Sequence, residues 1–391
     1  MQPTILSPDD SRALVPELSR TLNPAVWVYR FRHPKFRWTL SIATHAEPGS
    51  DKLSLGGFRI APKERTESPG FNPDKEAIGL AMGMEEKVYW SRLIGVGGPL
   101  ARRDMNRIVG GKCVLDPTDD ARVGHPNDFA LLDWAIHCFR TFEQDAGVRI
   151  TTGQDLGHGL MSDGKTQSLD YLSERFPGSV DADTSKPTAE GNFYVLEGML
   201  RAVGIPLAEA TVGLIGLGNI GMHVFERLNA AGATILAVET REDRRAPVER
   251  AGHRVWDADG KPHLLAQPMD ALVVNAAGGS LDSATVDRCI ANEQLRVVCG
   301  SENLVMPHAA DADRLRAAHE SYCPTELGGM MGYLTAVEEY LAHLEGEPFD
   351  VQALFEAAKR LEPAAYEATA RQIAEDYAVS FEDAVRLAAR V

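Results

Sequence analysis

The chain has 391 residues, 44% hydrophobic and 25% charged, and its 40 basic and 56 acidic side chains give a net charge of −16. This composition suits about two domain cores and excludes a mainly disordered protein. The acidic balance repels phosphate groups, so we expect neither nucleic acid nor a membrane surface as a partner. No apolar run is long enough for a transmembrane helix.

Cysteine usage and the N-terminus indicate a compartment. The five cysteines are scattered, odd in number and never in a CxxC pair, which argues against a disulfide framework or structural zinc. Residues 1–10 lack an apolar run of signal-peptide length, and the histidines show no metal-ligand spacing. We therefore predict a cytoplasmic protein with no metal centre.

Apolar periodicity predicts mixed α/β structure in the N-terminal part. Strands are expected over 26–31 and 38–44, and helices over 9–22, 74–92 and 127–141. The predicted helix over 74–92 repeats apolar residues at helical spacing, namely Ala77, Leu80, Ala81, Met84 and Val88. A glycine-rich, basic stretch follows that helix.

Residues 162–190 are polar and rich in Gly, Asp, Ser and Pro, a composition typical of a domain boundary. Beyond them, short apolar runs alternate with helical patterns, which predicts βαβ units around a parallel sheet. These runs cover 212–215, 234–238, 271–274 and 297–299. We predict an α/β fold with an N-terminal domain over 1–188, a Rossmann domain over 189–345 and C-terminal helices over 346–391.

A glycine-rich turn follows the first of these apolar runs. Thr211-Val-Gly-Leu-Ile-Gly216-Leu-Gly218-Asn219-Ile220-Gly221 reads as a strand, a GxGxxG turn and the start of a helix. Gly216 permits the tight turn, Gly218 lets the backbone approach a pyrophosphate, and Gly221 lets the helix pack against the strand. The first helical N–H groups then face the phosphates. The pattern predicts a dinucleotide site.

The end of the next predicted strand bears on which dinucleotide binds. Glu239 lies 21 positions after Gly218, where an acidic side chain hydrogen-bonds the adenosine ribose. A carboxylate there repels a 2′-phosphate and favours NAD. Arg241, Arg244 and Arg245 argue for NADP, because guanidinium groups bind phosphate. We predict NAD, with NADP as the less favoured alternative.

Many hydride-transfer enzymes share this fingerprint, and residues 212–239 alone would suit a D-2-hydroxy-acid dehydrogenase. The Arg, acid and His set of those enzymes does not follow here. An ordered series of motifs over residues 24–335 instead resembles the glutamate/leucine/phenylalanine/valine dehydrogenase family. The motifs are Leu55-Gly-Gly-Phe-Arg59, Ala81-Met-Gly-Met-Glu-Glu-Lys87, Gly110-Gly-Lys-Cys-Val-Leu-Asp-Pro117, Thr152-Gly-Gln-Asp-Leu-Gly157, Lys186-Pro-Thr-Ala-Glu-Gly191, Asp270 to Gly279, Gly300-Ser-Glu-Asn303 and Gly328-Gly329.

The resemblance implies reversible oxidative deamination of an L-amino acid to a 2-oxo acid and ammonia, with hydride transfer from the substrate Cα to nicotinamide. Lys87 matches the family position that binds the α-carboxylate, and Gly56 and Gly57 match a turn offering N–H groups to it. Lys112 matches the lysine that activates water, and Asp155 matches the carboxylate that shuttles the amine proton.

The remaining implied roles concern the cofactor and the assembly. Thr188 and Asn303 match positions that hold nicotinamide and substrate in register, and Ala276 lies in a further cofactor motif. The resemblance also implies that the N-terminal domain binds substrate and drives homo-oligomerisation. It implies that a cleft separates the domains and that the C-terminal helices pack back across it.

The assignment of Lys112 depends on an insertion. The two family lysines lie closer together than the 25 residues that separate Lys87 from Lys112 here. We predict an insertion over about 96–109, because an apolar strand and Asp116-Pro117 follow Lys112. An ungapped alignment would place Pro99 at the position of the catalytic lysine and leave ordinary deamination without its base.

The predicted substrate pocket favours an apolar or aromatic side chain. Leu55 stands where glutamate-specific members of the family carry a lysine for the γ-carboxylate, and Met330 and Tyr333 follow the late glycine pair. A carboxylate would lose its solvation there without a partner. Gly153 would add room. The alternative is that Met330 and Tyr333 simply pack a core.

Four departures from the family pattern stand near the expected nicotinamide site. Glu302 replaces a small residue, Glu326 replaces an asparagine, and Asn275 and Val274 stand where the family usually has Cys and Pro. They suggest a divergent member. The predicted function is NAD-dependent deamination of an apolar or aromatic L-amino acid. A related imine or 2-oxo-acid reductase and a non-catalytic NAD-binding protein stay open as alternatives.

Overall fold

The computed structural model describes residues 2–153 and 155–389, which form two β-sheets in two separate units of contacts. The first unit comprises the residues up to Tyr89, Pro99–Ala182 and Thr335–Phe349. The second comprises Trp90–Gly98, Asp183–Leu334 and the residues from Asp350 on. The α/β fold class predicted from the sequence is confirmed.

The first unit contains a mixed sheet with helices packed against it. Its strands are β1 (Thr4–Leu6), β2 (Trp27–Arg32), β3 (Thr39–Thr44), β4 (Leu53–Leu55), β5 (Phe58–Ile60), β6 (Ile108–Asp116) and β7 (Arg149–Ile150). Its helices are α1 (Pro8–Leu14), α2 (Lys63–Thr66), α3 (Pro73–Ile94), whose last turns join the second unit, α4 (Pro99–Asp104), α5 (Asp128–Ala146) and α6 (Ser168–Ser173). The strand order is β1-β2-β3-β6-β4-β7, and β5 also pairs with β6.

The long central strand β6 positions the turn between β4 and β5. Along one edge, β6 pairs in parallel first with β4, Leu55 opposite Gly110, and then with β5, Phe58 opposite Cys113. The two residues between β4 and β5 therefore lie beside Gly111-Lys112. On the other edge, β6 pairs antiparallel with β3.

Aromatic packing orients β5. The ring of Phe58 is fully buried and meets Phe139 of α5 edge-on, with ring centroids 5.1 Å apart. Because side chains alternate along a strand, the residues on either side of Phe58 face away from this core. The apolar face of α3 is buried as predicted, at Ala77, Leu80, Ala81, Met84 and Val88.

The second unit contains an all-parallel sheet of order β10-β9-β8-β11-β12-β13, the doubly wound order typical of dinucleotide-binding domains. Its strands are β8 (Thr211–Ile215), β9 (Thr234–Val238), β10 (Arg254–Trp256), β11 (Ala271–Val274), β12 (Val297–Gly300) and β13 (Ser321–Tyr322). Its helices are α7 (Ser185–Ala202), α8 (Asn219–Ala230), α9 (Glu242–Arg250), α10 (Lys261–Leu265), α11 (Ser283–Ile290), α12 (Ala310–Ala317), α13 (Thr325–Gly328), α14 (Met330–Glu345), whose later turns join the first unit, α15 (Val351–Ala358), α16 (Leu361–Ala374) and α17 (Phe381–Ala388).

A segment near the C-terminus completes the first unit. Two adjacent buried carboxylates of α14 accept backbone hydrogen bonds there. Glu338 accepts from the N–H groups of Leu100 and Ala101 at 3.0 and 2.8 Å. Glu339 accepts from those of Asp181 and Ala182 at 3.1 Å each. These bonds tie residues 335–349 to chain that precedes them by more than 150 positions.

The two units do not follow the predicted ranges exactly. The predicted boundary after residue 188 falls inside α7, whereas the contacts change unit between Ala182 and Asp183. The helices beyond Asp350 belong to the second unit, where α16 packs against α7. In the described part of the chain, no helix has the length and apolar content needed to cross a membrane.

The helix predicted over 9–22 is wrong in its length. Helix α1 ends at Leu14, and a 3-10 helix covers Pro16–Arg20. Proline lacks an N–H group and its ring restricts the preceding residue, so the α-helix stops before Pro16. Further 3-10 helices cover Asp119–Ala121, Leu207–Glu209 and Ala258–Gly260.

Close packing between α7 and α16 gives a stability prediction. A Cβ atom at Gly198 would lie 2.2 Å from the carbonyl oxygen of Glu362, so the two helix backbones need this glycine. We expect Gly198→Ala to lower the free energy of unfolding by about 1–3 kcal/mol, measured by urea denaturation. Gly79→Ala in α3 is the control, since a Cβ there meets nothing within 4 Å and should stabilise by up to about 1 kcal/mol. Equal effects of the two changes would contradict the packing argument.

Candidate active site

The Gly56-Gly57 turn approaches β6 at van der Waals distance. A Cβ at Gly56 would lie 1.8 Å from the carbonyl oxygen of Gly111, so no other residue fits there. A Cβ at Gly57 would lie 2.8 Å from Nζ of Lys112. The N–H of Gly56 donates to Oγ1 of Thr151 at 3.1 Å, so this donor, predicted for a substrate carboxylate, has an acceptor within the protein.

A buried ion pair lies beside Gly57, where a side chain would occupy its space. Nζ of Lys112 contacts Oδ2 of Asp155, and the two side chains are only 4% and 9% exposed. Lys112 comes from the middle of β6 and Asp155 from the loop after β7. The structure thus brings the two predicted catalytic residues together. Gln154, inside the motif that predicted Asp155, lies outside the described residues.

Arg59 joins this pair, and sequence reasoning gave it no role. Its Nη2 donates to Oδ1 of Asp155 at 3.3 Å, and its Nη1 donates to Oε1 of Glu76 in α3 at 2.7 Å. The sequence did contain a pattern that indicates which way the side chain of Arg59 faces. Arg59 follows Gly57 by two positions in an extended segment, so it faces the same side as the turn while Phe58 enters the core.

These contacts set the charge of Asp155. Burial alone would raise the pKa of the carboxyl group, but the cations of Lys112 and Arg59 and the N–H of Leu156 lower it further than burial raises it. The pKa of Asp155 therefore lies well below its usual range. The carboxylate is ionised at neutral pH.

Lys87 and Leu55 are both buried in the first unit. Lys87 lies on α3 and is 5% exposed, an uncommon position for a lysine unless it serves a polar partner. Leu55 is fully buried at the end of β4. A Cβ at Gly153 would lie 2.9 Å from a methyl group of Val180, so the room expected at that glycine is occupied by this side chain.

The predicted dinucleotide turn in the second unit has the expected glycine geometry. Gly216 has φ +89°, and a Cβ there would lie 2.8 Å from the carbonyl oxygen of Asn275. A Cβ at Gly221 would lie 2.0 Å from the carbonyl oxygen of Gly216. At Gly218, by contrast, nothing lies within 4 Å, so open space faces the start of α8. Asn219 and Ile220 form the first helical positions. This cradle fits a pyrophosphate.

Glu239 at the end of β9 is tied to the turn. Its Oε2 accepts from the N–H of Leu217 at 2.6 Å, and its Oε1 accepts from the N–H of Arg241 at 2.9 Å. Burial raises the pKa of Glu239, and these hydrogen bonds, which favour the ionised form, lower it below its usual value overall. Sequence reasoning predicted the residue but not its bond to Leu217.

The three nearby arginines have protein partners. Arg241 pairs with the Asp243 carboxylate at 2.6 Å, and Arg245 donates to the carbonyl oxygens of Glu239 and Thr240. Arg244 donates to Oδ1 of Asn219 at 3.0 Å and so lies beside the helix start.

The carboxylate of Glu302 organises the loop after β11. It accepts hydrogen bonds from the N–H groups of Ala276 at 2.9 Å and Ser280 at 2.8 Å, and it is 3% exposed. The carbonyl of Leu304 accepts from Gly279 at 3.0 Å. The segment containing Asn303 therefore lies beside the loop containing Ala276. The acidic residue at position 302 thus has a structural role, which is to accept hydrogen bonds from two backbone N–H groups of this loop.

The other predicted residues of the second unit are mostly buried. Thr188 is 3% exposed, and its Oγ1 donates to the carbonyl oxygen of Thr184 at 2.6 Å. Met330 is fully buried and accepts a weak hydrogen bond from Ser91, with 3.7 Å between Oγ and Sδ. Tyr333 is 6% exposed. The substrate-binding roles of Met330 and Tyr333 stay a prediction.

The sequence is similar to those of known dehydrogenases. Residues 183–291 match the model of the D-isomer specific 2-hydroxyacid dehydrogenase NAD binding domain, which covers the glycine turn and Glu239. The chain is 27% identical over 305 residues to valine dehydrogenase of Streptomyces albus, across 76% of this chain and 74% of that protein. It is 25% identical over 266 residues to phenylalanine dehydrogenase of Bacillus thermotolerans, across 64% of this chain and 60% of that protein.

The fold has solved counterparts. The crystal structure of L-tryptophan dehydrogenase from Nostoc punctiforme superposes with a TM-score of 0.63 at 19% identity, covering 93% of this chain and 94% of that one. This likeness concerns the fold. The dehydrogenases matched in sequence confirm the resemblance predicted from the ordered motifs. The chain is an oxidoreductase, and its sequence is similar to those of amino-acid dehydrogenases of the glutamate/leucine/phenylalanine/valine type.

Proposed function

We propose that the protein catalyses NAD-dependent oxidative deamination of an apolar or aromatic L-amino acid to its 2-oxo acid and ammonia, and the reverse reductive amination. The observation that carries the proposal is the buried contact between Lys112 and Asp155 at the Gly56-Gly57 turn. Deamination needs one group that exchanges protons with water and another that exchanges them with the amine. A buried lysine and carboxylate in contact supply such a pair.

Three buried polar side chains of the first unit are each proposed to have one task. Lys87 binds the substrate α-carboxylate, because a carboxylate that leaves water needs a fixed cation. Lys112, in its neutral form, takes a proton from the water that attacks the iminium carbon of the oxidised substrate. Asp155 takes the proton of the substrate amine and returns it to the departing ammonia.

The second unit is proposed to hold NAD. The open space at Gly218 and the N-terminus of α8 suit the pyrophosphate, and Glu239 suits the adenosine ribose hydroxyls. Glu239 would repel a 2′-phosphate, and two of the nearby guanidinium groups, those of Arg241 and Arg245, already have partners. NAD held there would supply the acceptor for the hydride of the substrate Cα.

The side-chain preference follows from Leu55, which offers no charge to a γ-carboxylate. The matched relatives are named valine and phenylalanine dehydrogenases, which supports a substrate of that class. Met330 and Tyr333 are proposed as substrate-binding residues on the family resemblance alone. A homo-oligomer is proposed on the family resemblance alone.

The experiment that tests the function also tests Leu55. We expect purified protein to oxidise NADH with ammonium and branched or aromatic 2-oxo acids, weakly with 2-oxoglutarate, and not without ammonium. Leu55→Lys should raise the ratio of 2-oxoglutarate to branched-chain turnover about tenfold or more, because the new cation pairs with the γ-carboxylate. Leu55→Met is the size-matched control and should keep the wild-type ratio.

Two results would contradict these proposals. Turnover that does not need ammonium would show that the protein reduces 2-oxo acids without amination, and would contradict the proposed deamination. If a folded Leu55→Lys variant keeps the wild-type substrate ratio, residue 55 does not contact the substrate side chain.

The assignment of Lys112 predicts a loss in kcat. Lys112→Met keeps the length of the side chain and removes the proton-transfer group, so kcat should fall about 10²–10⁴-fold. Lys75→Met on the exposed side of α3 should leave kcat unchanged. Steady-state kinetics of both variants, with circular dichroism to confirm folding, decide the point. Near-wild-type kcat for Lys112→Met would remove it from the catalytic step.

The proposed role of Glu239 predicts a change in cofactor selectivity. Glu239→Gln should raise the KM for NAD about tenfold, equivalent to about 1.4 kcal/mol, while the KM for NADP changes less because the repulsion of the 2′-phosphate is lost. Glu242→Gln, an exposed acid at the start of α9, serves as the control. An unchanged ratio of the two KM values in Glu239→Gln would argue against this ribose contact.

A further inference from the structure

Arg59 lies at the centre of a row of alternating charges in the first unit. The guanidinium of Arg65 is 3.1 Å from Oε2 of Glu76, Glu76 binds Nη1 of Arg59, and Nη2 of Arg59 binds Asp155. Asp155 in turn contacts Lys112. The row begins at a half-exposed arginine, whose side chain is 47% exposed, and ends at the buried lysine.

We propose that Arg59 is a positioning residue for the deamination: it holds the carboxylate of Asp155 in place and ionised at the stage when Lys112 is neutral. This inference rests on the proposed function. Arg59 acts through Asp155 and is not assigned a contact with substrate or cofactor.

The physical reason is that the two cations beside Asp155 are not equivalent. A lysine that takes a proton from water must be neutral before that step, and it then offers no charge to the carboxylate. A guanidinium stays protonated throughout. Arg59 is therefore the permanent counter-charge of Asp155, and its contact with Oδ1 leaves Oδ2 directed toward Lys112.

The shape of the guanidinium matters as well as its charge. One nitrogen of Arg59 binds Asp155 and another binds Glu76, so the group is fixed at two points on different elements. Its side chain is only 6% exposed. A lysine at this position has one nitrogen on a flexible chain and cannot reproduce both contacts with the same geometry.

The other groups that face Asp155 do not replace Arg59. Lys112 faces it from β6 and Arg59 from β5, and Glu76 of α3 reaches it only through Arg59. His158 lies in the same loop as Asp155, and burial lowers the pKa of its ring below the usual value. Its Nε2 is 2.9 Å from the carbonyl oxygen of Phe58, so the ring is directed at the backbone.

A double-mutant cycle tests the proposal with the full-length protein. Arg59→Met should lower kcat about 10²-fold, because a small misplacement of a proton-transfer group is enough for such a loss. In the Asp155→Asn background the same change should lower kcat less than about threefold, since its target is gone. Arg175→Met, which removes an exposed arginine of the same unit, should leave kcat unchanged.

The pH profile separates charge from shape. Without the guanidinium the pKa of Asp155 rises, so the acidic limb of kcat/KM should move upward by about one unit or more in Arg59→Met. Arg59→Lys keeps a cation and should lower kcat without moving this limb. Circular dichroism confirms folding, and Arg59→Gln replaces Arg59→Met if the latter does not fold.

The outcomes are distinct. Equal losses of kcat in both backgrounds, with an unmoved acidic limb, would overturn the role of Arg59 and leave the proposed function standing. A wild-type protein that is inactive across the 2-oxo-acid panel would overturn the proposed function, and this inference with it.

Discussion

The first unit depends on the buried ion pairs that the carboxylate of Asp155 makes with two cations. Burying an unpaired carboxylate is costly, and removing one member of a buried pair costs about 3–5 kcal/mol, so Asp155 requires both Lys112 and Arg59 at fixed positions. These residues come from a loop and two parallel strands. The strands can supply them only because Gly56 and Gly57 let the chain approach β6 without side chains. The placement of the charged side chains therefore depends on the two glycines.

The second unit uses carboxylates differently. Glu239 and Glu302 are buried, and both accept hydrogen bonds mainly from backbone N–H groups of loops beside the dinucleotide turn. Loops at the carboxyl ends of parallel strands carry unsatisfied N–H groups, and such acceptors hold them in a single conformation. The binding surface is therefore organised before a cofactor arrives, which reduces the entropy lost on binding.

Local patterns predicted the parallel sheet closely. The strands at 234–238 and 271–274 have the predicted bounds, because each is an apolar run bounded by turn residues. Strand β1 and helix α4 were missed, since elements of three and six residues depend on their tertiary partners. Arg59 was seen only as part of a motif. Its partner Asp155 is 96 positions away in the sequence, and a local pattern cannot indicate a contact between residues so far apart.

The segment Thr335–Phe349 has a consequence for synthesis of the protein. Most of the first unit leaves the ribosome early, yet four of its backbone N–H groups, at positions 100, 101, 181 and 182, await the carboxylates of Glu338 and Glu339. The entire second sheet is translated after these positions and before the two glutamates emerge. The first unit therefore cannot complete its structure until the second sheet has been synthesised, and a chain truncated before residue 335 lacks part of both units.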